Sequence, residues 1–249
     1  MTDVLPDLAD GQVDVITLVT GGNSGIGYEI ADQLLARGAT VWIGSRDAGR
    51  GAAAAERLGR GARTVTLDVR DPDSIAAATR VVGDLDVLVN NAGVNPGSDD
   101  IATVTMDQFR DAYETNVFGL VAVTQAFLPA LRRSPRPRIV NLGSGTGSLA
   151  WNSGPNPHFD WAAVAGGGIA YRSSKTAVNA VTLLTAQALG DRFKVNALAP
   201  GLRLTNLIPG MSHGGDPAEA AAGAVRLALL PDDAPTGGLW SWDGTRVPW

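Results

Sequence analysis

No cysteine occurs in the 249-residue chain, which excludes both a disulfide framework and a thiolate-held metal. Histidine is scarce too: His158 and His213 stand far apart in loop-like sequence, so no metal site is expected. Basic residues are outnumbered, 20 Lys and Arg against 25 Asp and Glu for a net charge of −5, which argues against a nucleic-acid partner. The one basic cluster, Arg132-Arg133-Ser134-Pro135-Arg136-Pro137-Arg138, is broken by prolines and fits a solvated turn ahead of a strand. No apolar run is long enough to span a bilayer, and no basic-plus-apolar leader opens the chain. A cytoplasmic protein with no membrane partner is expected.

What the chain has is alternation. Short β-branched runs near 13–19, 39–44, 64–67, 86–89, 138–142, 193–197 and 238–242 alternate with helical periodicity near 25–36, 47–58, 72–82, 106–132, 169–189 and 217–229. The pattern predicts the α/β class: one Rossmann-type doubly wound domain over residues 1–249, with a parallel seven-stranded sheet and helices on both faces. No internal repeat or linker divides it.

The first predicted strand runs into Thr20-Gly21-Gly22-Asn23-Ser24-Gly25-Ile26-Gly27, then an amphipathic helix closed by Gly38. Strand, glycine turn, helix, strand is the unit that seats a dinucleotide; its glycines let amides at a helix N-terminus approach the pyrophosphate. The second strand ends at Ser45 with Arg46 directly after it, where an acid would favour NAD. A guanidinium can instead pair with a 2′-phosphate and stack on adenine. Arg50 lies one helical turn on, and Asp47 between them can pair with either arginine. NADP is therefore the expected cofactor.

Tyr171 and Lys175, in Tyr-Arg-Ser-Ser-Lys, share one face of a predicted helix, about 6 Å apart. A free tyrosine titrates near pH ~10 and is a poor acid or base at neutral pH until a fixed positive charge lowers that value. The pair alone carries little. The glycine turn upstream gives it weight.

The runs Thr20-Gly21…Gly25-Ile26-Gly27, Asp68-Val69, Asn90-Asn91-Ala92-Gly93, Asn116, Ser144, Tyr171…Lys175 and Pro200-Gly201…Thr205 follow one order along nearly the whole chain. That set resembles the short-chain dehydrogenase/reductase family, and the stretch from Val225 to Trp249 looks most like its carbonyl-reductase branch. The resemblance implies a nicotinamide cofactor held by Thr20, Gly21, Asn23, Ser24, Gly25, Ile26, Gly27, Ser45, Arg46, Arg50, Asp68, Val69, Asn90, Ala92, Gly93, Tyr171, Lys175, Pro200, Gly201 and Thr205. Ser24 stands where relatives carry a second basic residue. Asp68 would contact the adenine amino group or simply cap a turn, and the Thr20 hydroxyl would brace the strand that carries Asn90.

The resemblance also implies a reaction centre of Asn116, Ser144, Tyr171 and Lys175. Tyr171 would protonate the carbonyl oxygen as hydride arrives, or take the proton in reverse. Lys175 would lower the tyrosine's pKa and bond the nicotinamide ribose. Ser144 would hold the substrate oxygen, with Thr146 or Ser148 as possible substitutes. Asn116, misfit in mid-helix, would anchor a water between Lys175 and solvent. The activity implied is NADPH-dependent reduction of a ketone or aldehyde. The alternatives are an NAD(P)-dependent alcohol dehydrogenase working oxidatively, and a dinucleotide-sensing regulator without chemistry.

One departure stands out. Ser144 and Tyr171 are 27 positions apart, about twice the family separation. The extra residues, from Leu149 to Trp161, carry Trp151, Phe159 and Trp161, and an aromatic insertion near 149–168 is expected beside the substrate entrance. It would block the helix bundle through which relatives tetramerise, leaving a monomer or dimer. After Pro200-Gly201, the residues Leu202, Leu204, Leu207, Ile208 and Met211 lie among glycines. They suit a lid near 202–216 over a small apolar carbonyl or alcohol substrate, or ordinary core contacts.

Overall fold

Seven strands line up parallel, the central ones β-branched and buried on both faces, as such sequences demand. They are β1 (Ile16–Thr20), β2 (Thr40–Ser45), β3 (Arg63–Thr66), β4 (Val87–Asn90), β5 (Arg138–Leu142), β6 (Lys194–Ala199) and β7 (Leu239–Ser241). The computed structural model describes residues 4–6, 11, 13–97, 99–156, 168–208 and 210–249. The sheet order is β3-β2-β1-β4-β5-β6-β7-β8. The last strand, β8 (Arg246–Val247), is antiparallel to β7, so the sheet has eight strands where the sequence pattern predicts seven. Two residues are too short to show a period of their own.

Eight helices accompany the sheet among the described residues: α1 (Gly25–Ala36), α2 (Ala48–Leu58), α3 (Pro72–Val82), α4 (Met106–Tyr113), α5 (Leu120–Arg133), α6 (Leu149–Ser153), α7 (Ile169–Leu189) and α8 (Pro217–Ala228). Period-two alternation along the strands divides the core. Val19, Val89 and Val140 face a cluster with Ile30 and Leu34 of α1 and Ala224 of α8. Their neighbours Leu18, Leu88 and Ile139 face Ile75 of α3, Phe127 of α5 and Ala186 of α7. This is one doubly wound domain with helices on both faces.

The single helix expected over 106–132 is divided. A π-helical segment, Glu114–Gly119, separates α4 from α5. Such wide turns recur at functional sites, and this one carries Asn116. The chain end is part of the core: Trp240 is fully buried and its indole N–H donates to Asn196 Oδ1 at 3.2 Å. Trp151 of α6 joins Leu239, Val247 and the half-buried Trp249. The Ala150 amide also donates to the Trp249 carbonyl at 2.9 Å. The aromatic segment thus packs where it begins; Phe159 and Trp161 lie outside the described residues. No helix among the described residues is long and apolar enough to cross a membrane.

The sheet order reverses direction at β1, which pairs with β2 on one side and β4 on the other. A crevice at the carboxyl ends of the strands is where such sheets bind ligands.

Candidate active site

Most helices here cap themselves. Asp47, Asp71, Thr105 and Asp216 accept from amides in the first turns of α2, α3, α4 and α8. The α1 N-terminus differs: Ser24 makes no side-chain cap and the first turn has no acid. Its amides are left for something else. The turn before it runs through left-handed backbone at Gly21 (φ 64°) and Gly25 (φ 55°), which only glycine adopts without strain. A methyl on Gly27 would collide with Asn91 Nδ2 and lie 2.7 Å from the Gly21 carbonyl. Ile26 packs partly against the core, while Asn23 is half-buried and Ser24 exposed.

Thr20 braces this turn as expected. Its hydroxyl accepts from the Asn91 and Ala92 amides, both at 3.0 Å, and its proton points to the Val89 carbonyl at 3.4 Å. Asn91, unremarked in the sequence beside Asn90, donates to the carbonyls of Thr20 at 2.9 Å and Gly21 at 3.2 Å. Asn90 itself turns inward: its amide donates to Thr124 Oγ1 at 3.0 Å and Asn141 Oδ1 at 2.9 Å. Its side chain ties β4 to β5 and α5, so any contact with a cofactor would fall to its backbone.

At the end of β2, Ser45 is buried and donates to the Asp47 carbonyl at 2.8 Å. Asp47 pairs with Arg50 at 3.5 Å, both well exposed. Arg46 is exposed, and no side-chain partner engages it among the described residues. Asp68 is half-buried; one of its oxygens accepts from the Arg70 amide at 2.9 Å, the turn-capping role, with the other left over. Val69 is buried against Gly119 of the π segment.

The four reaction-centre residues come together where β5 ends against α7. Ser144 caps a 3₁₀ turn, Gly145–Gly147; its oxygen accepts from the Thr146 amide at 3.1 Å and lies 2.8 Å from Thr146 Oγ1. Its hydroxyl lies beside the Tyr171 phenol. Ser148 is committed elsewhere, donating to the Pro248 carbonyl at 2.6 Å, whereas Thr146 stays beside Ser144. Lys175 is buried; its ammonium donates to the Leu142 carbonyl at 2.7 Å and sits 5.7 Å from the Tyr171 ring centre. Asn116 accepts from the Val94 amide at 2.8 Å, and its amide donates to Ser174 Oγ at 3.0 Å. Gly93 lies between Asn116 and Lys175: a methyl there would be 3.1 Å from Asn116 Oδ1 and 3.7 Å from Lys175 Nζ.

The charge state of the pair differs from the sequence expectation. Burial pushes the Tyr171 phenol up to about 12, partly offset by the bond from Ser144. Burial also brings Lys175 down to about 8. Desolvation dominates the shift of the tyrosine, and the Lys175 ammonium is aimed at the Leu142 carbonyl. Tyr171 holds its proton throughout the neutral range.

After β6, the Pro200-Gly201…Thr205 segment closes over the glycine turn. The Thr205 methyl lies 3.3 Å from the place a methyl on Gly25 would occupy. Arg203, an inconspicuous residue in an apolar run, is buried and does most of the fastening. It donates to the Pro200 carbonyl at 2.6 Å, pairs with Glu219 and lies 4.3 Å above the Trp242 ring. Leu202, Leu204 and Ile208 remain exposed. A cavity of about 210 Å³ opens next to Ser144, walled by Gly145, Trp151, Gly201, Leu202, Arg203 and Trp242.

A short-chain dehydrogenase profile matches residues 15–157, more than half of the chain. The protein belongs to the short-chain dehydrogenase/reductase family. It falls in the carbonyl-reductase-like branch. Salutaridine reductase from Papaver bracteatum is 31% identical, with 88% of this chain and 92% of that protein covered. (−)-Isopiperitenone reductase from Mentha piperita is likewise 31% identical, over 91% of this chain and 96% of that protein. An NADPH-bound carbonyl reductase from chicken fatty liver superposes with a TM-score of 0.80 at 27% identity, covering 95% of this chain and 100% of that one.

This family of oxidoreductases binds a nicotinamide dinucleotide, and the residues present fit one. The left-handed glycine turn and the uncapped amides of α1 beside it suit a pyrophosphate. Among the described residues no cluster could hold a metal ion.

Proposed function

We propose that this short-chain dehydrogenase/reductase is an NADPH-dependent reductase of ketones or aldehydes. The observation that carries the reading is the half-buried Tyr171 phenol, with Ser144 beside it and the Lys175 ammonium 5.7 Å from its ring centre. The bound nicotinamide would supply the hydride. Arg46, exposed at the end of β2, would take the 2′-phosphate, and the α1 amides the pyrophosphate. Asp68's second oxygen, with Val69 beside it, would meet the adenine.

Ser144 would hold the substrate's carbonyl oxygen against Tyr171, which would donate its proton to that oxygen as hydride arrives. Lys175 would leave the Leu142 carbonyl for the ribose and pass protons inward by a water held at Asn116. The 202–216 segment would act as a lid, with its exposed leucines over the substrate and its neck fastened by Arg203. An apolar carbonyl compound the size of the 210 Å³ cavity fits these walls. NADPH oxidation measured against a panel of cyclic and aromatic ketones tests the reading. Substrate-dependent turnover is expected; cofactor binding with no turnover on any member would leave the sensing-regulator alternative standing.

A further inference from the structure

Asn179 is buried to 2% exposure, yet neither its amide nitrogen nor its amide oxygen has a hydrogen-bond partner. An unpaired amide in a core is costly, and an aliphatic side chain of like size would avoid that cost. Its position suggests what it does there. Counting along α7, Tyr171, Lys175, Asn179 and Thr182 fall on one face, and that face meets the end of β5 residue by residue. The Asn141 amide donates to Thr182 Oγ1 at 2.9 Å, Lys175 Nζ donates to the Leu142 carbonyl at 2.7 Å, and Ser144 lies beside Tyr171. Gly143, between the last two, has no such bond to α7. Instead the space its methyl would need is taken by Asn179 Oδ1, only 2.7 Å from that point.

The rest of the surroundings would accept a methyl at 143, with Ala197 Cβ and the Leu198 carbonyl each 3.4 Å away. Residue 143 is also outside the left-handed region. The requirement for glycine at 143 therefore comes from Asn179 alone. On the far side of Ser144, Gly147 rests on the backbone of Lys175 and Thr176, at 2.6 to 2.8 Å from where its methyl would be. Ser144 thus hangs between two seats on α7, one made by backbone and one by a side chain.

We propose that Asn179 is a positioning residue for the reaction: its buried amide seats the Gly143–Ser144 peptide on α7 and thereby holds the Ser144 hydroxyl on the Tyr171 phenol. The role rests on the reductase reading above. Asn179 touches neither the substrate nor the reacting atoms; it acts through Gly143.

A double-mutant cycle tests this, with Gly143→Ala, Asn179→Ala and the pair combined. Three quantities are read for each: kcat for a ketone the unmodified protein reduces, the NADPH dissociation constant by fluorescence, and the melting temperature. Each single variant should lose about tenfold or more in kcat, with NADPH affinity within about twofold. The combined variant, in which the methyl at 143 takes the place of the missing amide, should recover severalfold in kcat over Gly143→Ala and melt above it. A general structural role would move NADPH affinity along with kcat and give additive effects. Additive losses, or an Asn179→Ala protein with unchanged kcat, would overturn the assignment. If Gly143→Ala does not fold while the combined variant does, that rescue supports the seat. No turnover by the unmodified protein on any ketone would defeat the reductase reading, and the melting temperatures would still decide whether Asn179 seats Gly143.

Discussion

The two halves of the sheet build their crevice by opposite means. After β1 the chain uses backbone: uncapped amides, two left-handed glycines and carbonyls held by Asn91, all within a dozen consecutive residues and the strand beside them. After β5 it uses side chains: Ser144, Tyr171, Lys175 and Asn116, drawn from three segments. A backbone-built site tolerates most side-chain changes and fails wherever a Cβ intrudes. A side-chain-built site is sensitive to its hydroxyls and amines, and to whatever positions them.

The largest effect is expected on the second half. Tyr171→Phe should lower turnover by roughly 10²–10⁴, the usual worth of a general acid, while NADPH titrates as before. Near-normal turnover would break the assignment of the proton donor. Its counterpart on the first half is Gly27→Ala, whose methyl meets Asn91 and the Gly21 carbonyl. That change should weaken NADPH binding about tenfold or more, a free-energy loss of about 1.4 kcal/mol. Asn23→Ala next to it should do far less. Equal losses would remove the distinction between backbone and side-chain recognition.

Arg46 would be the exception within the first half, a side chain proposed to read the cofactor. Ser45→Asp with Arg46→Asp should move preference from NADPH toward NADH by about tenfold. Should the unmodified protein already bind NADH more tightly, the reading of that strand end is wrong. A smaller, pH-dependent effect follows from Lys175, which burial brings to about 8. Its ammonium is complete below that pH and lost above it, so kcat/KM for reduction should fall as pH rises through about 8. Tyr171, near 12, should add no inflection below pH 10. A profile flat to pH 10 would show that the charge on Lys175 is not needed. Least certain to touch activity is assembly. Light scattering should report one or two chain masses of 25.7 kDa; four would show that the segment after Ser144 does not block tetramer formation.

Legibility followed the same division. The glycine turn could be read because its physics is local: the residues that make it are adjacent, and a glycine's conformational freedom belongs to the residue itself. The strands and most helices could be read for a like reason, as periods of two and 3.6 survive in any context. The π segment was hidden inside a helical period that continues smoothly from α4 to α5, betrayed only by Asn116 in an unsuitable place. Arg203 and Asn179 gave weaker signals still, one charge in an apolar loop and one amide on a buried helical stripe.

The sequence by itself determined the doubly wound class, the glycine turn and the absence of thiol chemistry, and it nominated the residues of the proposed reaction centre. Those depend on local conformation and residue type, which travel with the chain. The tertiary structure decided which groups Asn90 and Asn91 each bond, why residue 143 must be glycine, and that burial raises the Tyr171 phenol. Each of these turns on what surrounds an atom across long stretches of sequence. Burial, more than the neighbour four residues away, set the charge state of the tyrosine.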